Sequence, residues 1–132
     1  MNLYTLALFG EAERGEFCKP YLCDSVAQLL DVFGQPPKSS QGIYYAIQSI
    51  LYHQHLIFCR VQEEGFSRED YFIGLDFLRQ RKDMGHLSAI CLPGVGDAAI
   101  LDAIVPICHL YRSLLITNEA DFYDYLTESQ GK

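Results

Sequence analysis

The stretch LSAICLPGVGD, residues 87–97, decides the fold that the sequence predicts. Its first six residues form a mostly apolar run, which is typical of a strand buried on both faces of a parallel sheet. Two glycines then permit a tight turn, and Asp97 is a favourable residue to begin a helix. The apolar residues that follow are spaced for one helix face: Ile100, Leu101, Ile104 and Val105. The stretch therefore predicts a strand, a turn and a helix.

The same pattern recurs on both sides of this stretch. Three more apolar runs of strand length occupy residues 3–9, 56–61 and 113–117, and amphipathic helical patterns separate and follow the runs. Strands that alternate with helices pair in parallel through right-handed crossovers. The sequence thus predicts a three-layer α/β/α domain with a short parallel sheet of about four strands. We expect a flavodoxin-like or Rossmann-like arrangement with strand order 2-1-3-4.

Local signals predict where the helices begin and end. Ser25, followed by Gln28, predicts the start of the first helix, and Ser39 or Ser40 the start of the second. Asn118 is the expected cap of the last helix. Pro106 lies within the fourth helical pattern, where it should kink or end the helix.

The length of 132 residues predicts one domain over residues 1–132. Residues 10–24 after the first strand form an unusually long predicted loop, and long loops often carry function. Residues 128–132 are predicted to be a flexible C-terminal tail.

Charge and composition narrow the classes of partner. The formal net charge is −7 and the basic residues are scattered, which argues against nucleic acid and anionic membranes as partners. No apolar stretch is long enough for a transmembrane helix. Five cysteines, an odd number lying partly in apolar runs, indicate thiols in a reducing compartment. We therefore expect a cytoplasmic protein.

In an open parallel sheet, ligands bind beyond the carboxyl ends of the strands. Acidic residues and glycines concentrate in the loops predicted to lie there. The predicted ligand-binding residues are Glu64, Gly94, Gly96, Asp97, Asn118 and Glu119.

The long first loop supplies the candidate catalytic residues. Glu11 or Glu13 would be a general base or metal ligand, and Arg14 would bind an anion. Glu11 and Asp97 are the candidate ligands of a magnesium ion, the one cofactor that the pattern suggests. The alternative interpretation is that acidic residues on this rim cap helices and complement their dipoles, without any metal or cofactor.

The segment GVGDAA, residues 94–99, fits the G-x-G-x-x-G/A pattern of dinucleotide-binding turns, and Glu119 lies 20 residues beyond it. A tight strand-to-helix turn capped by Asp97 is the alternative. His53 with His55, and Cys18 with Cys23, are weak metal-ligand pairs because no partner pair accompanies them.

Two functional hypotheses remain. The first is a regulatory or scaffolding module that acts through protein–protein contacts, either with a protein partner or as a homodimer. Exposed tyrosines are enriched at such interfaces. The candidates are Tyr44, Tyr45, Tyr123 and Tyr125. The alternative is a small-ligand or phosphate-binding domain, or an enzyme, that uses the acidic rim.

Overall fold

The computed structural model describes residues 4–80 and 87–130, and the side chains of all of these except 129 and 130. Five strands lie within these ranges: β1 Thr5–Gly10, β2 Tyr21–Cys23, β3 His55–Arg60, β4 Leu87–Cys91 and β5 Leu114–Ile116. The same ranges hold five helices: α1 Val26–Phe33, α2 Gly42–Leu51, α3 Arg68–Gln80, α4 Ala98–Tyr111 and α5 Glu119–Gln130.

The strands form one sheet in the order β2-β3-β1-β4-β5. Four of them are parallel, and counted along the chain these four have the order 2-1-3-4. The fifth, β2, pairs antiparallel with β3 and falls inside residues 10–24, which were expected to be loop. Its three residues are too few to show a strand pattern, and two of them are exposed.

Helices cover both faces of the sheet, so the α/β class and the three layers are confirmed. Leu6 and Leu8 of β1 point into a core that they share with α1, α2 and α5. Ala7 and Phe9 point into a second core, shared with α3 and α4. This alternation explains the continuous apolar runs, because both faces of the central strands are buried.

The predicted caps are correct for three helices. Ser25 Oγ accepts the Gln28 N–H at 3.1 Å, Asp97 Oδ1 accepts the Ala99 N–H at 2.8 Å, and Asn118 Oδ1 accepts the Asp121 N–H at 2.9 Å. The prediction for α2 is wrong. Its N-cap is Gln41, whose side chain makes no capping bond.

The structure differs from two expectations about where helices end. Pro106 was predicted to kink or end the fourth helix, and it does not end α4, which continues to Tyr111. The proline ring is on the exposed side of the helix, and the buried Ile104 and Ile107 hold the turns around it against the core. Residues 128–130, predicted as tail, belong to α5, and residues 131–132 lie outside the described ranges.

Within residues 4–80 and 87–130, no helix has the length and apolarity needed to cross a membrane.

Candidate functional site

The carboxyl ends of the four parallel strands lie along one edge of the sheet, where the predicted ligand site was placed. At this rim the Glu64 carboxylate binds backbone groups of the chain itself. It accepts the N–H of Gln41 at 2.7 Å, of Gly42 at 2.9 Å and of Glu11 at 3.0 Å. Glu64 is thus the side chain that caps α2, from a position 22 residues beyond its N-terminus.

Glu11 completes a reciprocal contact with Glu64. The Glu64 N–H donates to Glu11 Oε2 at 2.9 Å, so each carboxylate accepts the backbone N–H of the other residue. Burial raises the pKa of the Glu64 carboxyl, although the three backbone N–H donors oppose the shift. Gly10 and Gly42 leave no room beside it, since a Cβ on Gly42 would lie 2.7 Å from the Gly10 Cα. The pair therefore joins the end of β1 to the start of α2 and encloses no space for a ligand.

The side chains of Glu13 and Arg14 bind backbone groups at and just after the end of α1. Glu13 Oε1 accepts the Gln35 N–H at 3.0 Å. The Arg14 guanidinium donates to the carbonyls of Leu30 and Asp31, at 3.0 and 3.2 Å. These carbonyls belong to the last turn of α1, where a cation complements the helix dipole. Arg14 Nη1 also lies 3.5 Å from Glu13 Oε1, whereas Glu11 is paired with Glu64, so the structure brings together two of the three candidate catalytic residues.

In the glycine turn after β4, the structure explains Gly94 and Asp97. Gly94 has φ +76°, and the Gly94 carbonyl lies against Gly65 so closely that a Cβ there would meet it at 2.7 Å. Asp97 Oδ1 accepts the backbone N–H groups of Ala99 and Ile100, at 2.8 and 3.3 Å, which a bound phosphate would need.

Arg68 completes the contacts of this turn, because its Nη2 lies 2.7 Å from Asp97 Oδ2. This ion pair and the two capping bonds lower the pKa of the Asp97 carboxyl. Gly96 is open to space on the side where a Cβ would lie. The Asp97 carboxylate thus occupies the place that the dinucleotide pattern reserves for a phosphate.

No three His, Cys, Asp or Glu side chains converge as a metal site in the part of the chain that the structure describes. His55 Nδ1 lies 3.2 Å from Asp24 Oδ1, and Cys18 Sγ donates to Asp70 Oδ1 at 3.2 Å. Cys23 lies instead in the core under α1 and α2. Neither predicted ligand pair thus forms part of a group of three converging ligands among the described residues.

An open groove of about 750 Å³ lies between α2 and α5. Tyr44 on α2 and Tyr123 on α5 form its walls, with 59% and 58% of their surfaces exposed. Tyr45 and Phe122 stack beneath them, with ring centroids 4.4 Å apart and planes 9° apart. The groove therefore has an aromatic lining held in place by the core.

Two of the predicted interface tyrosines are buried. Tyr45 is 5% exposed and Tyr125 7%, and the Tyr125 hydroxyl donates to Gln54 Oε1 at 2.7 Å. The expectation that they are exposed is wrong, because α2 and α5 turn these rings towards the sheet. Tyr44 and Tyr123 remain as surface residues.

The polar groups of the groove come from both helices. Gln41 and Gln48 lie on the α2 side, and Glu119, a predicted ligand residue, lies exposed on the α5 side. No local sequence pattern predicts that Gln48 or Phe122 is a site residue. Phe122 becomes a neighbour of Tyr44 only because the strand order places α2 and α5 on the same face of the sheet, whereas Gln48 lies one turn beyond Tyr44 on α2 itself.

Comparison with protein-family models, with curated proteins and with solved structures gives no significant match, so the function must be argued from this geometry.

Proposed function

We propose that this protein is a binding module that acts through protein–protein contacts, with the groove between α2 and α5 as its docking site. The observation that carries the proposal is the pair of exposed tyrosines, Tyr44 and Tyr123, on opposite walls of one groove. Large aromatic rings dominate binding energy at protein interfaces when they are anchored by neighbouring residues. The Tyr45–Phe122 stack provides that anchoring.

The groove suits a short peptide segment of a partner protein. Its volume of about 750 Å³ is open along one side, so it can take several side chains without enclosing them. Gln41 and Gln48 offer amide groups that can both donate to and accept from a peptide backbone.

The charge of the groove and of the whole chain indicates which kind of peptide segment would bind. Among the described residues that line the groove, Glu119 is the one with a carboxylate, and the whole chain carries a net charge of −7. The faces of Tyr44 and Tyr123 attract a cation as well. The proposed occupant is therefore an apolar segment that carries a lysine or arginine, whose charge would be steered to the groove by the field of the whole molecule.

The five cysteines are unpaired thiols, four of them buried. Thiols of this kind persist in reducing compartments, which supports a cytoplasmic setting for the proposed module.

The proposal can be tested by selecting binders from a phage-displayed peptide library against the full chain. We expect enriched peptides that combine a basic residue with apolar neighbours. The same peptides should lose binding to the double variant Tyr44→Ser/Tyr123→Ser and bind less tightly to Glu119→Gln, by roughly threefold to fivefold for one exposed charge contact.

Phe66→Ser is the matched control, because Phe66 is 74% exposed and lies outside the groove. This variant should bind the selected peptides as the original chain does. The proposal fails if no peptide family is enriched, or if the enriched peptides bind the tyrosine double variant unchanged.

A further inference from the structure

The two edges of the sheet differ in how they are protected against pairing with another strand. β2 at one edge is preceded by Lys19 and Pro20 and followed by Asp24. Charged residues and proline at an edge are the usual devices that prevent strand addition. At the corresponding positions around β5, at the other edge, there is one charged residue, Arg112, and no proline, because residues 112–117 read Arg-Ser-Leu-Leu-Ile-Thr.

The β5 edge also exposes apolar side chains on both faces of the sheet. Leu114 is 56% exposed and Leu115 is 36% exposed. Leu114 pairs with Ala89 and Leu115 with Ile90, two residues that point into opposite cores, so the two leucines lie on opposite faces. Leu110 near the end of α4 adds another exposed apolar side chain close by in sequence. A strand added beside β5 would cover apolar surface on both sides.

The backbone of β5 can accept such a strand. The Ile116 carbonyl accepts the Leu92 N–H at 2.7 Å, so Ile116 turns its polar groups towards β4. Backbone groups alternate in direction along a strand, and those of Leu115 therefore point to the open edge.

From these observations we infer that the chain forms a homodimer in which β5 of one copy pairs antiparallel with β5 of the other, about a two-fold axis at Leu115. The Leu115 residues would exchange two backbone hydrogen bonds on the axis, and Leu114 would oppose Ile116 of the second copy. The two sheets would become one of ten strands, twice the five that each copy has within its described residues.

Charge complementarity favours a second copy of this chain as the occupant. The antiparallel register places Arg112 opposite Asn118 of the other copy, one residue from Glu119. Arg112 and Glu119 are both exposed. The two-fold axis produces this contact twice, whereas a parallel pairing of the same strands would place like charges together. This inference does not depend on the proposed function of the groove.

Sedimentation velocity of the full chain, over micromolar concentrations, tests the inference. We expect a dimer that dissociates on dilution, because the interface is small. Leu115→Lys should weaken association by about tenfold or more, since it places two like charges on the axis. Leu22→Lys is the matched control at the β2 edge, where the leucine is 46% exposed, and it should leave the dimer unchanged.

Exchanging the charges of Arg112 and Glu119 distinguishes the loss of a contact in the dimer from a loss of folding. Arg112→Glu and Glu119→Arg should each weaken the dimer by up to about fivefold, and the double variant should restore it. A monomeric original chain across the whole range would overturn the inference. So would a dimer that survives Leu115→Lys, or charge variants whose effects simply add. Since Glu119 also lines the groove, the dimer is judged by mass and the groove by peptide selection.

Discussion

At the scale of single residues, the acidic residues at the rim of the sheet supported two predictions: that they bind a ligand, or that they cap helices. Asp97 and Asn118 cap the helices that directly follow them, and this could be predicted because a cap acts on the next three residues. Glu64 could not be assigned in this way. The first residue of α2, Gly42, precedes Glu64 by 22 residues, and only the fold brings the two together.

Glu64→Gln should lower the free energy of unfolding by about 1–3 kcal/mol, as measured by urea denaturation. Glutamine can keep the oxygen that binds the N–H groups of Glu11 and Gly42, but its amide nitrogen would face the N–H of Gln41. Glu63→Gln is the matched control, because it removes the same charge from the exposed neighbouring residue. Equal effects of the two substitutions would contradict the capping role.

The pH dependence of this effect has a defined sign. The pKa of Glu64 is raised in the folded state by burial, so the folded protein holds its proton more tightly than the unfolded chain does. The stability linked to this proton is fully present below the ordinary pKa of glutamate and is lost as pH rises through the raised value. Since glutamine does not titrate, the penalty of Glu64→Gln should be larger in acid than at neutral pH.

At the scale of secondary-structure elements, the four parallel strands could be predicted and the antiparallel edge strand β2 could not. β1, β3 and β4 have five or six residues each and are buried almost throughout, so their apolar runs are long and unbroken. β2 has three residues, and its place in the sheet depends on pairing with β3. The residues Tyr-Leu-Cys of β2 make no apolar run of strand length, whereas β5, the other edge strand, lies within the run of residues 113–117.

α4 shows that packing can overrule a helix-breaking residue. Pro106 removes one backbone N–H from the interior of a helix that nevertheless continues for five more residues. Pro106→Ala should therefore raise the free energy of unfolding by about 1–2 kcal/mol. Alanine has the higher helix propensity, and this gain is partly offset because the unfolded chain has more conformational entropy without the proline.

Val105→Ala, at an exposed neighbouring position of α4, is the control for that experiment and should change stability by less than about 0.5 kcal/mol. Both variants can be compared by urea unfolding at equal ionic strength. If Pro106→Ala leaves the stability unchanged or lowers it, then the proline at this position is itself needed for the packing of α4.

At the scale of the whole molecule, the same three-layer packing that creates the groove also buries ionisable groups on both faces of the sheet. The groove could not be predicted from sequence, because α2 and α5 are separated by three strands and two helices along the chain. The burial of Tyr45, Tyr125 and Cys23 could not be predicted either, because the sequence placed the two tyrosines at an interface and the cysteine in a loop. Burial raises the pKa of Tyr45 and of Tyr125 to about 12, and that of the Cys23 thiol to about 11.

These shifts predict cooperative unfolding in alkali. An acid whose pKa is raised by folding adds stability that is fully present below its unfolded pKa, near 10 for tyrosine, and lost as pH rises towards about 12. Part of the phenolate absorbance should therefore appear only together with the loss of far-ultraviolet circular dichroism. Tyr125→Phe should reduce that late absorbance, because it removes one buried phenol. Complete phenolate formation in a chain that keeps its helical signal would show that the rings beneath the groove are accessible to solvent, and would remove the anchored floor on which the docking proposal depends.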